Sequence, residues 1–324
     1  MKKYKVFMSG ITSFTGAHIA RALKIKGHYV IASLSTIRAR YESDALLKQR
    51  LLYADPDEII ENCVFGSGNM LDALKRLEPE IFINHGAPIK GYRSPDFDYL
   101  QSVASSLQGA RTLMQTLQSF SCKRFIHSGS VFEADEGSTN SGMTPSSESV
   151  SLYGASKAMV WTALRFFASE SKVPVSKIVI TNPIGIFENT DRLIPIFVKM
   201  WKEQKVPVLK TPQLIRDNIP AEWLAQTYVD EVELACDPAK SENLVSPRIR
   251  RPSGFVMTNQ DFLEDFIRKL QAAKFPHPCP LKIEMIPTSE PLERLNTEHV
   301  KEISKPEKIE EFWRTYSESF VNPL

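Results

Sequence analysis

The sequence predicts an α/β protein, with a doubly wound parallel sheet followed by a smaller C-terminal α/β lobe. Apolar strands alternate with helical stretches five times before residue 130. A glycine-rich turn follows the first strand at once, and the alternation breaks down beyond Leu193. Crossovers in such sheets are right-handed, and their ligands lie outside the carboxyl ends of the strands.

Lys5 to Ser9 reads as a short buried strand that runs into Gly10-Ile11-Thr12-Ser13-Phe14-Thr15-Gly16. A helix follows from Ala17 to Lys26, with Ile19, Ala20 and Leu23 on one face and Gly27 as its stop. Tyr29 to Leu34 is a second apolar strand, after which residues 37 to 62 are charged and helical. Cys63 to Gly66 reads as a third strand, leading to Gly68-Asn69-Met70 and a helix to Leu77. The fourth strand, from Ile81, ends in His85-Gly86-Ala87-Pro88. A long helical region, Phe97 to Phe120, precedes the fifth strand. That strand opens at Arg124 and ends in Ser128-Gly129-Ser130-Val131-Phe132-Glu133. A polar loop, Ala134 to Ser149, leads to a helix that carries Tyr153 and runs to about Ser171. Val175 to Thr181 is a sixth strand, ending in Asn182-Pro183-Ile184-Gly185-Ile186-Phe187.

The second lobe is expected over 188–324, with 213–235 returning to the first domain, 1–187. It reads as a helix from Pro195, a short strand Val206 to Leu209, and a turn Arg216-Asp217-Asn218-Ile219-Pro220 into a helix ending near Leu234. Then come a basic run from Pro247 to Gly254, a helix from Asn259 to Ala273, a strand from Lys282 and a closing helix from Lys305. There are no repeats and no low-complexity tracts.

Composition excludes several classes. Forty basic residues against 38 acidic give a net charge of +2, which argues for neither nucleic acid nor membrane as partner. Cys63, Cys122, Cys236 and Cys279 are far apart and form no Cys-x-x-Cys pair, so a reduced, cytoplasmic setting is expected. Val6 to Met8 is too short for a signal core, and no window reaches membrane-spanning length. The histidines lie apart, and no metal site is expected.

Strand, glycine turn, helix and strand within about thirty residues is the context of a dinucleotide fingerprint. Glycines let the backbone approach a pyrophosphate, which then sits on the free N–H groups of the helix start. The sheet is therefore expected to be of the Rossmann type. The acid that would bind ribose hydroxyls at the end of the second strand is missing; Ser35-Thr36-Ile37-Arg38-Ala39-Arg40 stands there. A hydroxyl followed by arginine suits a 2′-phosphate, which favours NADP(H), with NAD(H) the alternative. The bland reading is that Arg38 and Arg40 line the solvated face of the next helix.

Tyr153-Gly154-Ala155-Ser156-Lys157 places tyrosine and lysine one helical turn apart on one face. An ammonium there favours the phenolate and is expected to lower the Tyr153 pKa, making it an acid/base near neutral pH. The same spacing also arises by accident on amphipathic helices, so the case rests on what surrounds it.

Taken together these residues resemble the extended short-chain dehydrogenase/reductase family, the branch of nucleotide-sugar epimerases, dehydratases and ketoreductases. The resemblance covers nearly the whole chain. It rests on Gly10 to Gly16, Ser128 to Glu133, Tyr153 to Lys157, Asn182 to Phe187 and Arg216 to Ala221. It implies Tyr153 as the acid/base, Lys157 as the residue that holds the nicotinamide ribose, and Ser128, four before Phe132, as the hydrogen-bond partner of the substrate oxygen. It implies cofactor contacts from Gly10, Thr12, Ser13, Phe14, Thr15, Gly16, Ser35, Arg38, Asn69, Met70, Gly86, Ala87, Pro183 and Ile186. Substrate contacts are implied for Ser130 and Asn182, and diphosphate contacts for Arg216 and Arg294, with Arg248, Arg250 and Arg251 further candidates. The chain departs from the family at Ser13, Asn69, Ser106 and Glu133. Glu133 either contacts substrate or begins the polar loop, the second being favoured. The family often dimerises through the long helix and the Tyr153 helix, so a homodimer is expected; Leu107, Leu113, Met114, Trp161, Leu164 and Phe167 are either that face or core.

Dehydratases of the family carry Asp-Glu after the active-site Ser/Thr, where this chain has Gly129 and Ser130. The missing acid after Leu34 tips the reading to an NADP(H)-dependent 4-ketoreductase of a nucleotide-activated deoxysugar. A 4-epimerase with tightly bound NAD is the close alternative. A non-catalytic NADP(H)-binding sensor or scaffold is a third, disfavoured because Ser128, Tyr153 and Lys157 are all present.

Overall fold

The structure, a computed structural model, describes residues 3–87, 91–92, 94–137, 148–241 and 246–322. The first part contains β1 (Lys5–Ser9), α1 (Phe14–Ile25), β2 (Tyr29–Ser33), α2 (Arg38–Glu42), α3 (Ala45–Ala54), β3 (Glu58–Ile60), α4 (Gly68–Leu77) and β4 (Ile81–Asn84). Next come α5 (Tyr99–Leu107), α6 (Ala110–Ser119), β5 (Arg124–Ser130), α7 (Leu152–Glu170), β6 (Val175–Ile180), β7 (Asn182–Ile184), α8 (Leu193–Lys202) and β8 (Val208–Leu209). The remainder holds β9 (Ile215–Pro220), α9 (Ala221–Cys236), α10 (Pro238–Ser241), β10 (Arg248–Arg250), β11 (Pro252–Ser253), β12 (Phe255–Thr258) and α11 (Asn259–Ala272). It closes with β13 (Lys282–Ile283), β14 (Glu293–Arg294), β15 (Glu298–His299) and α12 (Pro306–Val321).

The central sheet has the order β10-β6-β5-β4-β1-β2-β3, and every pairing in it is parallel. Alternation along each strand divides its side chains between two cores. Val6 and Met8 join the core under α1 and α9, while Phe7 joins the one under α6 and α7. Phe7, Phe82 and Phe125 stand in register on β1, β4 and β5, with ring centroids 5.5 and 5.3 Å apart. Serine caps start the helices that matter here: Ser13 accepts from Gly16 N, Ser67 from Met70 N and Ser151 from Gly154 N.

A second sheet, β12-β9-β14 with β7 beside β9, stands next to the main one. Phe255, Trp223, Phe312 and Trp313 cluster over it, with Trp223–Phe255 centroids 5.3 Å apart. Among the described residues, no helix is long and apolar enough to cross a membrane.

Four expectations are corrected. The third strand is Glu58–Ile60, not Cys63 to Gly66, whose Cys63 and Phe65 pack against the core from the loop that follows while Val64 is exposed. The long helix breaks at Gly109, in the left-handed region at φ +67°, where a Cβ would lie 2.2 Å from Gly66 O. Residues 216–220 belong to a strand rather than a turn. The basic run is also strand, and it is no solvated surface: Arg248 Nε donates to Glu231 at 3.1 Å.

Glu231 has no exposed surface, yet it accepts from Ser176 Oγ at 2.5 Å and lies 3.8 Å from Arg124 and Arg250. This carboxylate ties α9 to three strands. Removing one partner of a buried ion pair leaves its mates uncompensated, at a cost of about 3–5 kcal/mol. Glu231→Ala should lower unfolding stability by about that amount in urea titration; a loss under about 1 kcal/mol would show that Glu231 does not hold β10.

Candidate active site

The glycine turn is pressed against the end of β4. Gly10 sits at φ +75°, and a Cβ on it would lie 2.5 Å from Gly86 N. A Cβ on Gly16 would lie 2.1 Å from Gly10 O. Ser13, where the family commonly has glycine, caps α1 instead. The amides of Phe14 and Thr15 open α1 and have no intrahelical acceptor. A helix start of that kind, behind a turn with no room for side chains, fits a dinucleotide pyrophosphate. Thr12 lends its carbonyl to Arg50 Nη1 at 3.4 Å, and Arg50 also donates to Phe187 O.

Thr15 begins a buried polar chain. Its Oγ1 lies 2.9 Å from His85 Nε2, and His85 Nδ1 lies 2.7 Å from Ser128 Oγ. Ser128 Oγ is also 2.6 Å from the Tyr228 hydroxyl, and Ser128 O accepts from Lys157 Nζ at 2.5 Å. The structure thus joins the glycine turn to the Tyr153 helix through the ends of β4 and β5. Burial holds His85 down to about 3, with Lys157 adding to the effect, so its imidazole is neutral.

Tyr153 stands one turn before Lys157, edge-on to Tyr92, Phe97 and Phe132. Its phenol is raised above its ordinary value, not lowered as the Tyr-Lys spacing suggested. Burial is the main cause, and the Glu133 carboxylate and Tyr92 add to it. Burial takes Lys157 down to about 8, against a pull upward from Glu133.

Glu133 is a second correction. It follows the end of β5, where the polar loop is expected to begin, but its side chain is buried: it is 1% exposed, accepts from Ser130 N at 2.6 Å and pairs with Lys177 Nζ at 3.1 Å. Lys177 also meets Glu136 at 2.6 Å, and Glu136 meets Arg251 at 2.6 Å. This four-charge cluster is balanced and lies directly under the Tyr153 site.

The remaining predicted residues are spread along the same edge. Gly86 N donates to Ser9 Oγ at 3.2 Å, and Ala87 follows it, half-buried. Ser35 is exposed and tied through its N and Oγ to Tyr41 OH; Arg38 is exposed and paired with Glu42 at 2.6 Å. Asn69 donates its amide to Glu61 O and Asn62 O, while Met70 is wholly buried in the core and presents no side chain to a ligand. Pro183 O accepts from Arg192, Ile186 O lies 3.1 Å from His18 Nε2, and Asn182 pairs in register with Asn218. Ser130 Oγ accepts from Phe132 N at 3.3 Å.

Arg216 and Arg294 are brought together, both more than nine-tenths buried. They share Glu290, at 2.8 and 3.4 Å. Arg294 also lies 4.1 Å over the Phe132 ring. Arg248, Arg250 and Arg251 point instead into the Glu231, Glu298 and Glu136 pairs. Sequence reasoning missed Tyr228, Lys177 and Glu290 altogether; none lies in a motif, and only the fold brings them near Ser128 and Phe132.

A parallel sheet with a glycine turn, a Tyr-x-x-x-Lys helix and a serine at one edge defines a dinucleotide-dependent enzyme of the short-chain dehydrogenase type. The chain belongs to the NAD dependent epimerase/dehydratase family, whose profile matches residues 6–229. No curated protein matches the chain in sequence. Its fold is similar to that of the UDP-N-acetylglucosamine 4-epimerase of Methanobrevibacter ruminantium M1, solved with UDP-N-acetylmuramic acid. That likeness has 17% identity, 100% of both chains covered and a TM-score of 0.74. It is similar too to the UDP-glucuronic acid 4-epimerase of Bacillus cereus, solved with UDP-glucuronic acid and NAD: 16% identity, 98% of each chain, TM-score 0.68. The dTDP-glucose 4,6-dehydratase of Streptomyces venezuelae, with NAD bound, gives 17% identity, 97% of each chain and a TM-score of 0.69.

Glu133 pushes both Tyr153 and Lys157 upward, so Glu133→Gln should move both down. The pH profile of turnover should therefore shift to the acid side relative to the unaltered protein. A profile that stays in place would show that Glu133 does not act on these two groups.

Proposed function

We propose that the protein is an NADP(H)-dependent oxidoreductase that reduces the 4-keto group of a nucleotide-activated deoxysugar. The observation that carries this reading is the raised phenol of Tyr153, one turn from Lys157 and beside the same strand edge as Ser128. A phenol kept protonated at neutral pH is poised to give a proton, as reduction of a carbonyl requires. When bound, the nicotinamide cofactor supplies the hydride. Ser128 steadies the substrate oxygen, and Lys157, still mainly charged near pH 7, holds the ribose side and the Ser128 carbonyl. Arg216 and Arg294 supply positive charge for the diphosphate.

The NADP(H) preference rests on the loop after β2, where Ser35, Tyr41 and Arg38 stand and the usual carboxylate does not. An exposed i,i+4 ion pair is worth about 0.3–0.5 kcal/mol. Glu42 therefore orients Arg38 without withholding it from a phosphate. A homodimer through α5 and α7 belongs to the same reading. Leu113, Met114, Trp161 and Leu164 are core, whereas Leu100, Met159 and Phe166 lie 75%, 49% and 64% exposed on those helices.

A 4-epimerase with retained NAD is the second reading, favoured by the family's NAD dependence and by epimerases among the similar folds. Incubation with NADPH and a panel of nucleotide 4-keto-deoxysugars separates the two. NADPH loss matched by a product two hydrogens heavier supports the reductase; an isomer at constant mass and constant NADPH supports the epimerase. Tyr153→Phe should keep NADPH binding and lose roughly 10²- to 10⁴-fold in kcat, and retained turnover would refute the acid/base role. Arg38→Ala should cut the preference for NADPH over NADH in titration by about tenfold or more; an unchanged ratio would favour NAD.

A further inference from the structure

We infer that His85, oriented by Thr15, acts together with Tyr228 to fix the Ser128 hydroxyl as a proton donor toward the substrate oxygen. The inference deepens the function proposed above and rests on it. Thr15, His85, Ser128 and Tyr228 are all more than nine-tenths buried and connect in one chain, at 2.9, 2.7 and 2.6 Å. Among the described residues, neither the Thr15 nor the Tyr228 hydroxyl has another hydrogen-bond partner.

That settles the polarity of the chain. A buried O–H with no acceptor is strongly disfavoured, so Tyr228 donates to Ser128 Oγ and Thr15 donates to His85 Nε2. A neutral imidazole that accepts at Nε2 carries its proton on Nδ1. His85 is neutral, so its Nδ1–H donates to Ser128 Oγ. Ser128 now accepts twice. A hydroxyl has two lone pairs and one proton, so its only remaining capacity is to donate. The opposite polarity would turn the Ser128 proton back onto His85 and leave the Thr15 proton without an acceptor. The Lys157 ammonium on Ser128 O holds the backbone from the other side of the sheet.

The outcome is a serine with one free function, donation, at the carboxyl end of β5. That is the polarity a carbonyl oxygen gaining charge needs. His85 and Tyr228 reach the substrate only through Ser128, and are positioning residues.

The test begins with ¹⁵N-histidine NMR of the cofactor-free protein, with His85 assigned by its loss in His85→Asn. The Nδ1–H tautomer is expected; Thr15→Val should mix the tautomers, and Thr15→Ser should restore the first. A cation or the Nε2–H form in the unaltered protein would overturn the inference, whatever the substrate proves to be. In turnover, Tyr228→Phe should lower kcat roughly three- to tenfold with KM for the sugar nucleotide unchanged; an unchanged kcat would also overturn it. Should Tyr228→Phe not fold, the tautomer still decides. Turnover retained in both Ser128→Ala and Tyr153→Phe would instead sink the reaction itself, leaving the tautomer result standing.

Discussion

The backbone contact between Gly10 and Gly86 governs the geometry of everything around the site. A single Cβ at Gly10 would overlap the start of the loop after β4. Without it, α1 begins hard against the ends of β1 and β4, close enough for Thr15 to reach His85. His85 then reaches Ser128, whose carbonyl takes the Lys157 ammonium. The left-handed φ at Gly10 is unfavourable for any other residue. The strand edge and the α7 helix are in this way held to one another by the absence of a side chain.

Electrostatics works in the opposite sense to the first intuition from spacing. Lysine one turn from tyrosine suggests a phenol made acidic. In the fold the Lys157 ammonium is engaged by the Ser128 carbonyl, and the carboxylate that acts on both groups is the buried Glu133. Glu133 is tolerable there because Lys177 neutralises it, while Glu136 and Arg251 close the cluster. Isolated buried ions are costly, and pairing with further hydrogen bonds offsets much of that cost. Lys177 adds a contact 5.4 Å over the Trp161 ring, and Trp161 stacks on His127 from the next strand. The cluster sets the charge environment of Tyr153 with only Arg251 partly open to solvent.

Much of this was legible in the sequence. β1, β2 and β4 have continuous apolar centres, as strands buried on both faces must, while β5 and β6 mix apolar residues with buried polar ones such as Arg124, His127, Ser176 and Lys177; the glycine turn and Tyr-Lys helix sit at fixed places between them. β3 was not legible, because its three residues are half-buried at the sheet edge while the more apolar Cys63 and Phe65 pack from a loop. β10 was misread because its arginines look like surface until Glu231, from a helix seventeen positions before Arg248, is placed beneath them. Glu133 was misread for the same reason. A charge is assigned to solvent from sequence whenever its partner lies far along the chain, and Lys177 is 44 residues away.

Arg216 on β9 and Arg294 on β14 show how residues far along the chain are coupled to the surroundings of Tyr153. Arg216 and Arg294 hold two buried positive charges against one half-exposed carboxylate, Glu290. Arg294 is brought down to about 10 by desolvation and the Arg216 charge, and desolvation lowers Arg216 as well. Among the described residues the Arg294 Nε has no hydrogen-bond partner. An anion placed there meets unmatched charge and an open donor, where a neutral group would meet only a desolvation cost. The Arg294 guanidinium carbon lies 4.1 Å from the Phe132 ring centre, and Phe132 stands edge-on to Tyr153 at 6.3 Å. A cation held over an aromatic face at that distance contributes about 0.5–2 kcal/mol, enough to keep the two in register. On the proposed function, a diphosphate drawn to the arginines would be fixed with respect to Tyr153 through a single ring.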